Sequence, residues 1–240
     1  MKLIYRIHLL SILLLGFIST QAQGWRGQIS GKGPVVEKSL NLSEIDALGL
    51  SISATVHLMQ GNSQQIRIKG QQNIIDNIET DVSGGTWNIR FDKNVRRHEP
   101  VDIYITLKEI DKLAVAGSGS IISEKGIETT DITLSVAGSG DINLDLQASK
   151  AKMSISGSGN IRLNGHAGST DISISGSGSV RALDFNTDHC TVGIAGSGNC
   201  EVDVKDDLKV SVTGSGSVLY EGSPSIHSAI TGSGKVRSKS

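Results

Sequence analysis

The sequence predicts an all-β fold, a parallel (right-handed) β-helix or solenoid with coils of about 20 residues, in one or two sections. Three observations carry that reading. The triplet Gly-Ser-Gly begins at Gly117, Gly138, Gly157, Gly176, Gly196, Gly214 and Gly232, at spacings of 21, 19, 19, 20, 18 and 18 residues. Apolar residues alternate with polar ones on both sides of each triplet, which is the period of half-buried strands. The composition, 29 Gly, 3 Pro and 3% aromatic residues, suits short strands joined by glycine-dependent turns and calls for no helix.

Residues 1–22 read as an export signal: Lys2 and Arg6 precede an apolar run over 9–18, and Thr20-Gln21-Ala22 places small residues at a cleavage point. The run is too short to cross a bilayer comfortably. No cysteine lies near the cut, so a lipoprotein anchor is not expected, and no transmembrane anchor is expected in the mature chain. Periplasm, cell surface or extracellular space is the expected location. Removing 22 of 240 residues leaves 218, with 21 Lys plus Arg against 24 Asp plus Glu, a net charge of −3. That balance argues against a nucleic-acid partner.

Residues 23–112 are expected to form an N-terminal β section without the triplet. The pattern over 50–58 reads as a strand, followed by a turn at Gln60-Gly61-Asn62 and a second strand over 65–68. Gly84-Gly85 reads as a turn between strands over 78–82 and 87–91, and the polar stretch 92–100 as a loop before a strand over 101–107.

Residues 113–240 are the repeat section. Leu113 and Val115 precede the first triplet and Ile121 follows it; Leu134, Val136 and Ile142 recur at matching offsets in the second. The residue before each triplet is small, from Ala116 to Thr231, which points to a crowded corner where copies stack. Glycine there permits positive φ and close backbone approach. A meander of antiparallel hairpins competes, because Val136 and Ile142 lie symmetrically about Ser139. Repeats near 20 residues with one strict corner favour stacked coils.

Three stretches together resemble the head GIN domain family, exported bacterial proteins described as putative auto-transporter adhesins. They are the Gln60-Gly61 turn, the segment Val82-Ser83-Gly84-Gly85-Thr86-Trp87-Asn88-Ile89, and Val115-Ala116-Gly117-Ser118-Gly119-Ser120-Ile121 with its later copies. The resemblance covers nearly all of the mature chain. It implies a β-helical structure and an adhesin-like role resting on architecture, with no catalytic residues to carry over. A self-exporting membrane barrel is not expected of this chain.

The sequence assigns no catalytic, cofactor-binding or metal residue, and no cofactor. Gly-Ser-Gly lacks the Lys-Ser/Thr ending of a phosphate loop. After the triplets come Ser120, Asp141, Asn160, Ser179, Asn199, Ser217 and Lys235, without the recurring Asp of calcium-binding β-rolls; a stacked polar ladder is expected. His57, His98, His166, His189 and His227 occur singly, without metal-ligand spacing. No Gly-x-Ser-x-Gly elbow is present, and Asp188-His189 lies in a variable turn. Cys190 and Cys200 share the inward parity of their strands and are expected as buried thiols ahead of a disulfide.

Carbohydrate-active β-helix enzymes, of polysaccharide lyase or hydrolase type, need clustered acids, whereas Asp102, Asp131, Asp141, Asp145 and Asp171 are scattered. Aromatic platforms for sugar are sparse, with Phe185 and Tyr220 in the repeats and Trp25, Trp87, Phe91 and Tyr104 upstream. Lys93, Arg96, Arg97 and His98 make a basic patch on the 92–100 loop, suited to an acidic glycan or a lipid headgroup. The expected function is that of an exported, non-catalytic adhesin-like, binding or scaffold protein of the bacterial envelope, whose partner is an envelope glycan or protein. The carbohydrate-active enzyme is the alternative.

Overall fold

Alternation of apolar and polar residues gives each repeat one inward face, and a single repeat has nothing to bury that face against except the next copy. The computed structural model, which describes residues 27–239, satisfies this by stacking. The expected export signal and Trp25 lie outside the described residues. The strands Ile127–Gly138, Asp141–Gly157, Asn160–Gly176, Ser179–Gly196 and Asn199–Gly214 pair in parallel, each with the copy one repeat away. Val136 pairs with Val115 and Ile155, not with Ile142, so the antiparallel meander is excluded. Val115, Val136, Ile155, Ile174, Ile194 and Val212 form one buried column, and Ile121, Ile142, Ile161, Val180, Cys200 and Val218 another. Differences in repeat length are absorbed away from the triplet, at register shifts between Arg162 and Gly165 and between Ala182 and Asn186.

The stack continues past the first triplet into residues that lack it. Ala47–Leu50 pairs with Lys112–Gly117, and Thr55–Gln60 with Ser120–Ser123, both in parallel. The expected single strand over 50–58 is therefore two strands bent around a corner. Leu50 aligns with Val115 and Thr55 with Ser120, so Ser51-Ile52-Ser53-Ala54 occupies the level of Ala116-Gly117-Ser118-Gly119. One layer further, Thr86–Ile89 and Asp102–Leu107 pair in parallel with the same two strands.

Chain order and spatial order part company here. Gln65–Gln71 follows Thr55–Gln60 in sequence but does not pair with it. Asp102–Leu107 lies between them, parallel to the first and antiparallel to the second. Val35–Leu40 then adds antiparallel to Gln65–Gln71. Gly84 and Gly85, at φ +55 and +73, make the two-residue turn of the Val82–Ser83 and Thr86–Ile89 hairpin, as a primed turn requires. A helical turn at Gln72–Ile75, not expected from the sequence, breaks the alternation so that adjacent Ile74 and Ile75 are both buried. A single buried cluster runs from Ile45 to Val218.

Candidate functional site

The triplet corners are built for close stacking. The first glycine of each has φ between +116 and +126, a region in which a side chain is strained. The second glycine, buried in the first six triplets, is required for space. A Cβ on Gly159 would lie 2.3 Å from the Gly140 carbonyl oxygen and 2.5 Å from Val136 Cγ1 one coil below. Between them, the serine N–H donates to the first glycine of the preceding coil, as from Ser158 to the Gly138 carbonyl at 2.8 Å. The small residues before the triplets, Ala116 to Thr231, are exposed. The crowding expected of them belongs instead to both glycines, since a Cβ on Gly157 would lie 2.5 Å from the Gly138 carbonyl oxygen.

At one layer this compact corner is replaced. Between Thr86–Ile89 and Asp102–Leu107 the chain makes an excursion through residues 90–101, which carries the basic patch. The excursion is held by two buried side-chain amides. Asn77 Nδ2 donates to the Lys93 carbonyl at 2.8 Å and its Oδ1 accepts from Lys93 N–H at 3.1 Å. Gln71 Oε1 accepts from Glu99 N–H at 3.0 Å, and its Nε2 donates to the Gly33 carbonyl at 3.1 Å. Within the loop, the short strand Val95–Arg97 pairs in parallel with Ile29–Ser30. His98 Nδ1–H donates to the Glu99 carbonyl at 2.6 Å while its ring stands edge-on to Phe91. A loop with both ends fixed by buried, doubly satisfied amides presents its side chains in a defined arrangement.

Beside this loop lies an open cleft of about 460 Å³. Arg96, Arg97, His98 and Pro100 form one wall; Ser53, Ala54 and Thr55 of the glycine-free corner and Ser118 and Ser120 of the first triplet form the other. Of the basic patch, Lys93 does not line it. The sequence signals for Gln71 and Asn77 are weak, since nothing local shows that these two amides face inward.

The other candidate residues spread along the outside of the solenoid. Ser120, Asp141, Asn160, Ser179, Asn199, Ser217 and Lys235 form one column in cross-strand register, with Asn160 donating to Asp141 at 2.8 Å. Asp145 accepts from Asn164 at 2.8 Å, and Asp171 lies 3.9 Å from Lys150. His189 meets Asp207 at 3.0 Å, and Asp188 meets Lys205 at 3.6 Å. His57, isolated in sequence, is not isolated in space: Glu124 lies 2.6 Å from Nδ1 and Asp102 3.5 Å from Nε2. Its ring stacks on Tyr104 at 4.6 Å, and Arg67 lies over Tyr104 at 4.5 Å from the strand on the other side. Tyr104 is thus flanked on both sides and offers no free platform, while Trp87 and Phe185 are buried. Among the described residues no His/Cys/Asp/Glu group could hold a metal ion. Cys190 and Cys200 are both buried free thiols; burial pushes Cys190 up to about 12 and Cys200 well above its ordinary range.

The family model described as "Putative auto-transporter adhesin, head GIN domain" matches residues 44–224. The chain belongs to that family. The head GIN match runs from the glycine-free layers through the sixth triplet, so loop and repeats fall within one family unit. Solved structures share the fold. A putative adhesin from Bacteroides fragilis is 22% identical with a TM-score of 0.82, the alignment covering 88% of this chain and 100% of that one. A putative adhesin from Parabacteroides distasonis is 18% identical with a TM-score of 0.76, at the same coverage. A third, described as a putative lipid binding protein from Parabacteroides distasonis, is 23% identical with a TM-score of 0.72, over 89% of this chain and 100% of that one. No curated protein matches the chain. No helix among the described residues is long and apolar enough to cross a membrane.

Proposed function

We propose that this head GIN protein is an exported, non-catalytic, adhesin-like binding protein of the bacterial envelope that meets its ligand at the basic corner cleft. One observation carries the reading. On a scaffold whose repeat corners are tight Gly-Ser-Gly turns, and whose Ser51-Ile52-Ser53-Ala54 corner keeps the same length, one layer opens into a basic loop fixed by buried Asn77 and Gln71. Binding residues carried on a loop that a rigid scaffold positions are a common arrangement in proteins. The signal-like residues 1–22 support export. Of the candidate carboxylates, Asp141, Asp145 and Asp171 each engage a neighbouring coil rather than face a shared cleft, which supports a role without catalysis, while Asp131 shares a cleft with Glu109, Asp111 and Glu128 and makes the cleavage assay below necessary. The structural neighbour described as a putative lipid binding protein adds an anionic lipid headgroup to the ligands worth testing.

The test is a binding screen of the mature protein against envelope polysaccharides and anionic vesicles, with every positive also assayed for chain cleavage. Binding without product, lost in an Arg96→Glu/Arg97→Glu variant that melts like the parent, is the expected result. Release of new reducing or unsaturated ends would overturn the non-catalytic reading in favour of a carbohydrate-active enzyme.

A further inference from the structure

We infer that the ligand class of the corner cleft is an acidic glycan, a sugar chain bearing carboxylate or sulfate groups. This deepens the proposed function and rests on the cleft being the binding site. The first argument is charge. The chain as a whole carries a formal net charge of −1, yet this cleft is lined by Arg96, Arg97 and His98 and by no carboxylate. The clefts around the return corners carry an excess of carboxylates: one is lined by Glu44, Asp46 and Glu109 with a single cation, Lys108, paired to Glu44, and another by Glu109, Asp111, Glu128 and Asp131. Two other clefts also lack carboxylates, one lined by Lys209 and His227 and one by Arg67, and the loop cleft differs from them in gathering two arginines and a histidine. Guanidinium groups match the planar oxygens of carboxylate or sulfate with paired N–H donors.

The second argument is the opposite wall. Ser53, Thr55, Ser118 and Ser120, whose hydroxyls both donate and accept, line the same cleft as the cations. A polyhydroxylated ligand with one charged group uses both walls, whereas a bare anion uses one. The volume, about 460 Å³, lies in the range of sites for ligands of drug size. The third argument separates glycan from membrane. The exposed large apolar residues are Val35, Ile226 and Ile230, and none lines the cleft, so no side chain there is placed to enter an acyl layer. With the loop already fixed by Gln71 and Asn77, little conformational freedom is left to lose on binding.

The experiment is calorimetric titration of the mature protein with a uronate oligosaccharide, its carboxyl-reduced neutral counterpart, inorganic phosphate and phosphatidylglycerol vesicles. The probes are repeated on Arg96→Glu/Arg97→Glu and on Ser118→Trp, which adds bulk to the cleft from an exposed position without changing its charge. The expected result is uronate binding that weakens about 30-fold or more on carboxyl reduction or in either variant, falls as salt rises, and is not matched by phosphate or vesicles. Equal binding of the carboxyl-reduced sugar, lost in both variants, would overturn the acidic class while leaving the site in place. Uronate binding unchanged in both variants would overturn the site itself. Binding to vesicles alone would reassign the cleft to a lipid headgroup, and no binding to any probe would overturn the inference.

Discussion

The first glycine of a triplet needs both its φ and its space, and the second needs space. Gly157 sits at φ +125, and Gly159 has a carbonyl oxygen 2.3 Å from where its Cβ would be. Replacing either by Val is expected to destabilise the fold by more than about 1 kcal/mol, read from denaturant midpoints. Gly193, with ordinary φ and nothing closer than 3.9 Å, should accept Ala at no cost or gain about 0.5 kcal/mol. Equal melting of all three variants would contradict the corner geometry. The triplets were plain in the sequence; that only the first glycine needs its φ while both need space was not, because the clash partners lie one coil away. The cysteines make a pH prediction. Cys190 ionises near its ordinary 9.0 when unfolded and at about 12 when folded, held up by burial. Between those values the unfolded chain has lost a proton that the folded chain keeps, so stability falls as pH rises, by about 1.4 kcal/mol per pH unit for each such thiol. A Cys190→Ala/Cys200→Ala variant should show a shallower alkaline decline in urea melts, and the native thiols should resist alkylation at neutral pH.

At the scale of the element, the basic loop depends on residues outside it. Asn77→Ala leaves the Lys93 N–H and carbonyl without their partner, an expected loss of about 1–3 kcal/mol, with faster amide exchange at Lys93 and weaker ligand binding. An unchanged exchange rate would show that the amide does not hold the loop. Within the stack, position decides the cost of a truncation. Val212 is buried, whereas Ile230, next in the same column, is 42% exposed on the outermost coil. Val212→Ala should therefore cost at least about 1 kcal/mol more than Ile230→Ala. Local pattern hid one element boundary. Leu50, Ile52, Ala54, Val56 and Leu58 are all buried at every second position straight through a corner, so period-two alternation runs on where the backbone bends. It also hid the insertion of Asp102–Leu107 between Thr55–Gln60 and Gln65–Gln71, since strand order is a non-local property. The basic residues of the cleft were legible as charge; their facing wall of serines, from residues 53 to 120, was not.

For the whole molecule, stacking makes contacts nearly one-dimensional, each coil resting on its neighbours. Amide exchange should therefore be slowest in the inner coils over 127–214 and fastest in Ser225–Gly232, which pairs with Asn199–Gly214 alone. The surface divides likewise: long faces of cross-coil polar ladders, acidic clefts at the return corners, and the cleft with paired arginines where the repeat gives way to the loop. That division is the central claim, that architecture is repeated and recognition is local. It is tested most directly by amide chemical-shift mapping of the labelled mature protein during titration with a uronate oligosaccharide. The account predicts shifts confined to residues 92–100 and to the facing segments around Ser53, Thr55, Ser118 and Ser120. Shifts spread along the outer column from Asp141 to Lys235, with the loop unmoved, would contradict it.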